Sequence, residues 1–195
     1  MSYTPYGAIF LIFLILSHQV DASPHHYCRK YIEEAARKTG VLPEILWAVA
    51  KTESNFGDGP WPWTVNVKGK GYYFSDKLSA KKFLKTLPEK IQYKVDVGCM
   101  QLNWGYHGKG FSHLTKMLNP RINVIYAAYF LRELYAEMGQ WSKAVASYHS
   151  RKWHRGGKYA NHVALLVKDY IKKTSGPSSD LIPFPFSDPS YKGRH

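Results

Sequence analysis

The chain is short of acidic side chains, of cysteine and of long apolar runs, and each scarcity narrows what it can be. Fourteen Asp and Glu stand against 27 Lys and Arg, a formal charge of +13. Chemistry that needs a pair of carboxylates has few places to find them, and the balance predicts attraction to polyanions without choosing among nucleic acid, anionic lipid and an acidic cell wall. Two cysteines, Cys28 and Cys99, allow one disulfide at most. Nine histidines show no ligand spacing backed by Cys or carboxylates, so neither a metal site nor a cofactor is expected. The unbroken apolar run Ala8–Leu16, AIFLIFLIL, is too short to span a bilayer comfortably. There is no internal repeat, and 195 residues suffice for one core rather than two.

What is present begins with location. The apolar run is followed by the polar segment SHQVDAS, as in the h-region of an export signal, and Val20 and Ala22 place small residues ahead of a cut at Ala22–Ser23. The preceding MSYTPYG carries no Lys or Arg, so an uncleaved N-terminal anchor is the alternative. Export holds in both cases, and a periplasmic or secreted chain is expected. In that setting an even cysteine count favours a Cys28–Cys99 disulfide over two buried thiols. Closing a loop of about 70 residues would contribute roughly 4 kcal/mol in the chain-entropy picture. Export also turns the positive charge towards wall polymer or membrane surface. No nucleic-acid partner is expected, because Lys and Arg are scattered and no reading helix is recognisable.

Apolar spacing predicts helices over 27–38, from Pro43 through Phe56, over 77–87, from Pro120 to Met138, over 141–148 and over 158–173. Between them, WPWTVNVKGKGYYFS (61–75) sets two aromatic and β-branched runs about Lys68–Gly71, a hairpin pattern, and 91–103 reads as an extended piece turning at Gly98. The Ser- and Pro-rich stretch 174–195 reads as a flexible tail. The organisation expected is a signal over 1–22, one mainly α domain with a small β-hairpin element over 23–173, and that tail.

Three segments carry chemistry. On the second helix Glu53 shares a stripe with Leu46, Val49 and Phe56, whereas Lys51 and Asn55 mark the solvated side. A carboxyl group on an apolar stripe loses solvation of its charged form, so its pKa should rise, as a general acid near neutral pH requires. Ser54, beside it, offers a hydroxyl to orient a carboxylate or a sugar. In VGCMQLN (97–103) Gly98 permits close backbone approach, and the amides of Gln101 and Asn103 can donate to and accept from sugar hydroxyls and N-acetyl groups. In ASYH (146–149) Tyr148 can donate to a reacting oxygen. Six Trp and fifteen Tyr suit flat sugar faces, although any single one is better read as core.

Taken in order, Glu53-Ser54 near a helix end, Gly98-x-Met100-Gln101, then Ala146-x-Tyr148, the chain resembles the soluble lytic transglycosylases over roughly residues 27–150. It looks closest to small secreted members associated with secretion, pilus, flagellar or conjugation machinery. The resemblance implies a lysozyme-like fold, peptidoglycan glycan strands as substrate and a monomer. It also implies Glu53 as acid/base with Ser54 as helper, Met100 and Gln101 lining the groove, and Tyr148 near the scissile bond. The family often has Asn after that Tyr, where this chain has His149. A conventional glycosidase needs two carboxylates, and only Asp58 and Asp96 offer themselves; Asp96 reads as a cap or turn residue. The alternatives are a lysozyme-type hydrolase of the same glycan and a non-catalytic wall-binding assembly factor.

Overall fold

A computed structural model describes residues 24–175. The signal expected over 1–22 lies outside the described residues, as does the tail expected over 174–195 apart from Thr174 and Ser175, which belong to the last helix. Helix α1 (His25–Thr39) stops at Gly40, whose φ of 71° lets its N–H close on the Ala36 carbonyl. Helix α2 (Pro43–Ser54) opens with Pro at its first turn and Glu44 beside the positive end of the dipole, and buries Ile45, Leu46, Ala48, Val49 and Ala50. Its apolar pattern predicts a helix through Phe56, but the helix ends at Ser54. Asn55–Phe56 (β1) instead turns at Gly57, φ 63°, and pairs antiparallel with Gly59–Pro60 (β2).

Strands β3 (Thr64–Val67) and β4 (Lys70–Tyr73) form the expected hairpin. Both turn residues are left-handed, Lys68 at φ 53° and Gly69 at 89°, the arrangement whose twist matches that of paired strands. The Asn66 side chain accepts the Gly69 N–H at 2.8 Å. After α3 (Lys77–Thr86) and the short α4 (Glu89–Gln92), the extended piece splits into β5 (Val95–Val97) and β6 (Leu102–Asn103). These join the hairpin in an antiparallel sheet of order β4-β3-β5-β6, larger than the hairpin expected. Val65, Val97 and Leu102 are cross-strand neighbours and bury one face. Asn66, Asp96 and Asn103 are likewise in register and share the opposite face.

A short helix α5 (Trp104–His107) and two 3₁₀ turns lead to α6 (Pro120–Met138), capped by the Asn119 side chain and ended by Gly139 at φ 70°. Helices α7 (Trp141–His149) and α8 (Trp153–Ser175) complete the described chain. The helix expected over 158–173 starts earlier, at Trp153, so that Gly156 and Gly157 lie inside α8. A Cβ on Gly156 would sit 2.4 Å from the Ser150 carbonyl oxygen and 2.7 Å from that of Ala146, so this glycine serves close packing of α7 on α8 rather than termination. In the helical layer α1 packs on α6, α6 on α7, α7 on α8 and α8 on α2. Among the described residues no helix is long and apolar enough to cross a membrane.

The layers meet at the loop Val97–Gln101. A disulfide joins Cys99 to Cys28 of α1, with both residues fully buried. Asn123, buried on α6, donates to the Val97 carbonyl at 2.8 Å and accepts the Met100 N–H at 2.9 Å. Gly98 adopts φ 85°, and a Cβ there would lie 2.6 Å from Asn123 Nδ2. Asn123→Ala would leave one buried carbonyl and one buried N–H without partners and should lower stability by about 2–4 kcal/mol. Urea unfolding at fixed pH measures this, and a loss under roughly 0.5 kcal/mol would mean that the clamp is not structural.

Candidate active site

Glu53 lies in the last turn of α2, half-buried, with its carboxylate bonded to α8. Tyr159 of α8 donates its hydroxyl to Glu53 Oε1 at 2.6 Å. Asp96, in the middle of β5 on the polar face of the sheet, is near enough for its charge to act on Glu53. Burial pushes the Glu53 carboxyl from 4.5 up to about 7; the Tyr159 hydrogen bond works against that rise, and the charge of Asp96 adds to it. Asp96 is itself raised by burial, opposed by the Asn103 amide, which donates to its Oδ1 at 2.8 Å, and by attraction to His149. Burial and the nearby Glu53 carboxylate hold the Tyr148 and Tyr159 phenols well above their ordinary range, so both stay protonated. The assembly can hold a proton on one carboxyl group near neutrality, beside two hydroxyls that do not ionise.

The residues singled out from sequence converge here, but most serve the protein. Ser54 is fully buried, with its hydroxyl 2.7 Å from the Cys99 carbonyl and 3.1 Å from that of Ala50. It is therefore not positioned to orient a sugar, contrary to expectation. The Met100 side chain is fully buried in the core and does not line a groove; its carbonyl, not its thioether, is what the site uses. That carbonyl accepts the Tyr148 hydroxyl at 2.8 Å, so the one proton with which Tyr148 might assist a leaving oxygen is already committed. Gln101, at φ 44°, folds its amide back to donate to Gly98 and Thr64 carbonyls at 3.0 and 3.3 Å. Asn103 divides its amide between Asp96 and the N–H of Tyr106, capping α5. His149 stacks on Tyr159 with ring centroids 4.6 Å apart and planes 6° off parallel, so the residue that departs from the family pattern braces the phenol that holds Glu53. Asp96, expected as a cap or turn residue, is a mid-strand residue acting on Glu53, whereas Asp58 is exposed in the β1–β2 turn.

Tyr159 is the residue that the sequence does not disclose. It shares a buried stripe with Val163 and Val167 at helical spacing, and a buried phenol needs a hydrogen-bond partner. That much was readable; the partner was not, because it lies 106 residues away. Among the described residues no group of three or more His, Cys, Asp or Glu is placed to hold a metal ion.

Compared with known proteins, the chain matches the family model described as the transglycosylase SLT domain over residues 30–160, a span that contains Glu53, Asp96, Tyr148 and Tyr159. No curated protein and no solved structure matches it.

The raised carboxyl has a consequence for stability. The folded protein keeps the Glu53 proton up to about pH 7, whereas the unfolded chain releases it near 4.5. Between those values the folded state binds more protons, so stability falls as pH rises, and the full cost is present above about 7 and absent below 4.5. Glu53→Gln removes that cost and should be more stable than the parent by about 3 kcal/mol at pH 8, with the gain nearly gone at pH 4.5. Parallel urea titrations at the two pH values test it; a gain independent of pH would deny the raised pKa.

Proposed function

Because the chain belongs to the transglycosylase SLT domain family, whose members are lytic transglycosylases with a lysozyme-like fold acting on peptidoglycan, we propose that it cleaves the MurNAc–GlcNAc β-1,4 bond of glycan strands without consuming water, with Glu53 as its single acid/base. The observation that carries this reading is the Glu53 carboxyl itself, protonated up to about pH 7 and held on one oxygen by a Tyr159 hydroxyl that is braced in turn. In the acid form Glu53 protonates the glycosidic oxygen as the C1–O bond breaks. The carboxylate then takes the proton of the sugar's own C6 hydroxyl, whose oxygen closes onto C1. The products are a 1,6-anhydro-muramyl end and a free 4-hydroxyl, and Glu53 is returned protonated. The other motif residues act by holding the backbone segment that packs beside Glu53's helix. The same reading places the protein outside the cytoplasm, as a monomer led out by residues 1–22 and serving an envelope-spanning secretion, pilus, flagellar or conjugation complex.

One observation favours a second reading, a two-carboxylate hydrolase. Asp96 is close enough to Glu53 for its charge to raise the Glu53 pKa, and a retaining or inverting glycosidase needs a second carboxylate across the bond. Against it, the Asn103 amide already donates to one Asp96 oxygen at 2.8 Å, which weakens that oxygen as a nucleophile or base.

Mass spectrometry of purified peptidoglycan digests separates the readings. Anhydro-muramyl ends are expected from the parent protein and none from Glu53→Gln; ends heavier by one water would establish hydrolysis instead. Asp96→Asn should retain substantial cleavage. Because it removes a charge that raises Glu53, the alkaline limb of its pH–rate profile should move to lower pH, the parent limb lying near 7. Complete loss of cleavage in folded Asp96→Asn would favour the hydrolase.

A further inference from the structure

The segment 61–74, WPWTVN followed by GYYF, takes no part in the chemistry above, yet with Phe56 it carries a connected group of aromatic rings. Some of these rings are accounted for by packing. Trp61 donates its indole N–H to the Phe74 carbonyl at 2.7 Å and receives His25 and Trp63 edge-on, at 4.9 and 6.4 Å between centroids. Tyr72 packs on Phe83 at 4.7 Å, beneath the sheet. Phe56 and Tyr73 are different. They stack on each other, with centroids 4.7 Å apart and planes 22° off parallel, yet stand 47% and 44% exposed. Burial does not explain two large rings ordered against each other in water.

Their position does. Tyr73 is the cross-strand partner of Thr64, and therefore shares the sheet face that carries Asn66, Asp96 and Asn103. That face is the one whose Asp96 acts on Glu53. Phe56 follows Glu53 by three residues, so its backbone lies within roughly 10 Å of the carboxylate's. Gly71 is next on the same face and adds no side chain beside the Tyr73 ring. Trp61 meets Phe56 edge-on at 5.1 Å and supports it from the side. A flat apolar surface therefore continues the polar row that passes Glu53, with a phenol hydroxyl in the same surface to meet a sugar hydroxyl.

We propose that Phe56 and Tyr73 form an aromatic platform for a pyranose ring of the same N-acetylated glycan strand, outside the pair of sugars whose bond is cut. This rests on the glycan-cleaving reading given above and assigns the hairpin to substrate rather than to a protein partner. Sugar C–H groups lie against the ring faces, and the strand is thereby aligned along the sheet before it reaches Glu53. The hairpin then sets how many sugars the enzyme needs, by binding rather than by chemistry.

The test is binding of an N-acetylglucosamine hexamer to full-length Glu53→Gln protein, followed by calorimetry and by the fluorescence of the neighbouring Trp61. Phe56→Ala and Tyr73→Ala, each placed in the Glu53→Gln protein, should weaken binding by about tenfold. Phe56→Leu, which keeps apolar bulk without a flat face, should lose as much, and Phe56→Trp should bind within about twofold of the parent. The two alanine changes together should cost little more than either alone, since the rings act as one surface. Unaltered affinity in the alanine variants overturns the platform, and so does a parent that binds no hexamer. The two readings fail separately. Anhydro-muramyl ends from the wild type, with unaltered affinity in the ring variants, would remove the platform and leave the chemistry. Weakened binding in the variants, with hydrolytic products or none from the wild type, would do the reverse.

Discussion

Between β5 and β6 the four residues Gly98–Gln101 leave the sheet as a turn, with Cys99 and Met100 fully buried, and a buried carbonyl without a donor costs about 1–3 kcal/mol. The loop meets this demand from outside. Asn123 of α6 serves the Val97 carbonyl, Ser54 of α2 that of Cys99 and Tyr148 of α7 that of Met100, while Gln101 turns back on Gly98. The disulfide adds α1. Each of these helices is thus placed by the same few atoms. The carboxylate of Glu53, one residue before Ser54, is located by a hydroxyl that never leaves the interior.

This constraint changes how the recurring residues should be understood. Glu-Ser, Gly-x-Met-Gln and Ala-x-Tyr suggest a catalytic acid with a ring of sugar ligands. In the structure one of them carries a proton that can react, and the rest supply hydrogen bonds to one loop. The demand for these residue types is no weaker for that. Serine at 54 has to be small and to donate, and tyrosine at 148 has to reach a carbonyl across the core. Glycine at 98 has to hold a positive φ against Asn123. Asparagine at 123 has to donate and accept at once, which few side chains can do within that volume.

Sequence discloses what is periodic or chemically unusual. The helices were legible from their apolar spacing and stop signals, as with Gly40 and Gly139, and Glu53 from its place on an apolar stripe. Three errors share a cause. The end of α2 at Ser54, the start of α8 at Trp153 and the role of Asp96 all depend on pairing across distance. Asn55–Phe56 leaves the helix because a strand waits beyond Gly57; Gly156 stays in a helix because α7 lies against it; Asp96 is a mid-strand residue because Val65 pairs with Val97. Local pattern has no access to such partners. Tyr159 and Asn123 were visible as polar residues on buried stripes, but only the fold shows what each must satisfy.

The electrostatics of Glu53 can then be seen as a balance among three elements rather than as a property of its own helix. Burial at the end of α2 raises the carboxyl, Asp96 from the sheet raises it further, and Tyr159 from α8 lowers it. A carboxyl that acts first as acid and then as base is best served by a pKa near the working pH, and the three influences together leave Glu53 at about 7. His149 enters through this balance. Stacked flat on Tyr159 and attracted electrostatically to Asp96, it acts on both the group that lowers Glu53 and the one that raises it. An asparagine at 149 could bond to a neighbour but could not stack over the phenol. The histidine at this departure from the family pattern therefore bears on the two neighbours of Glu53 and leaves the carboxyl itself in place.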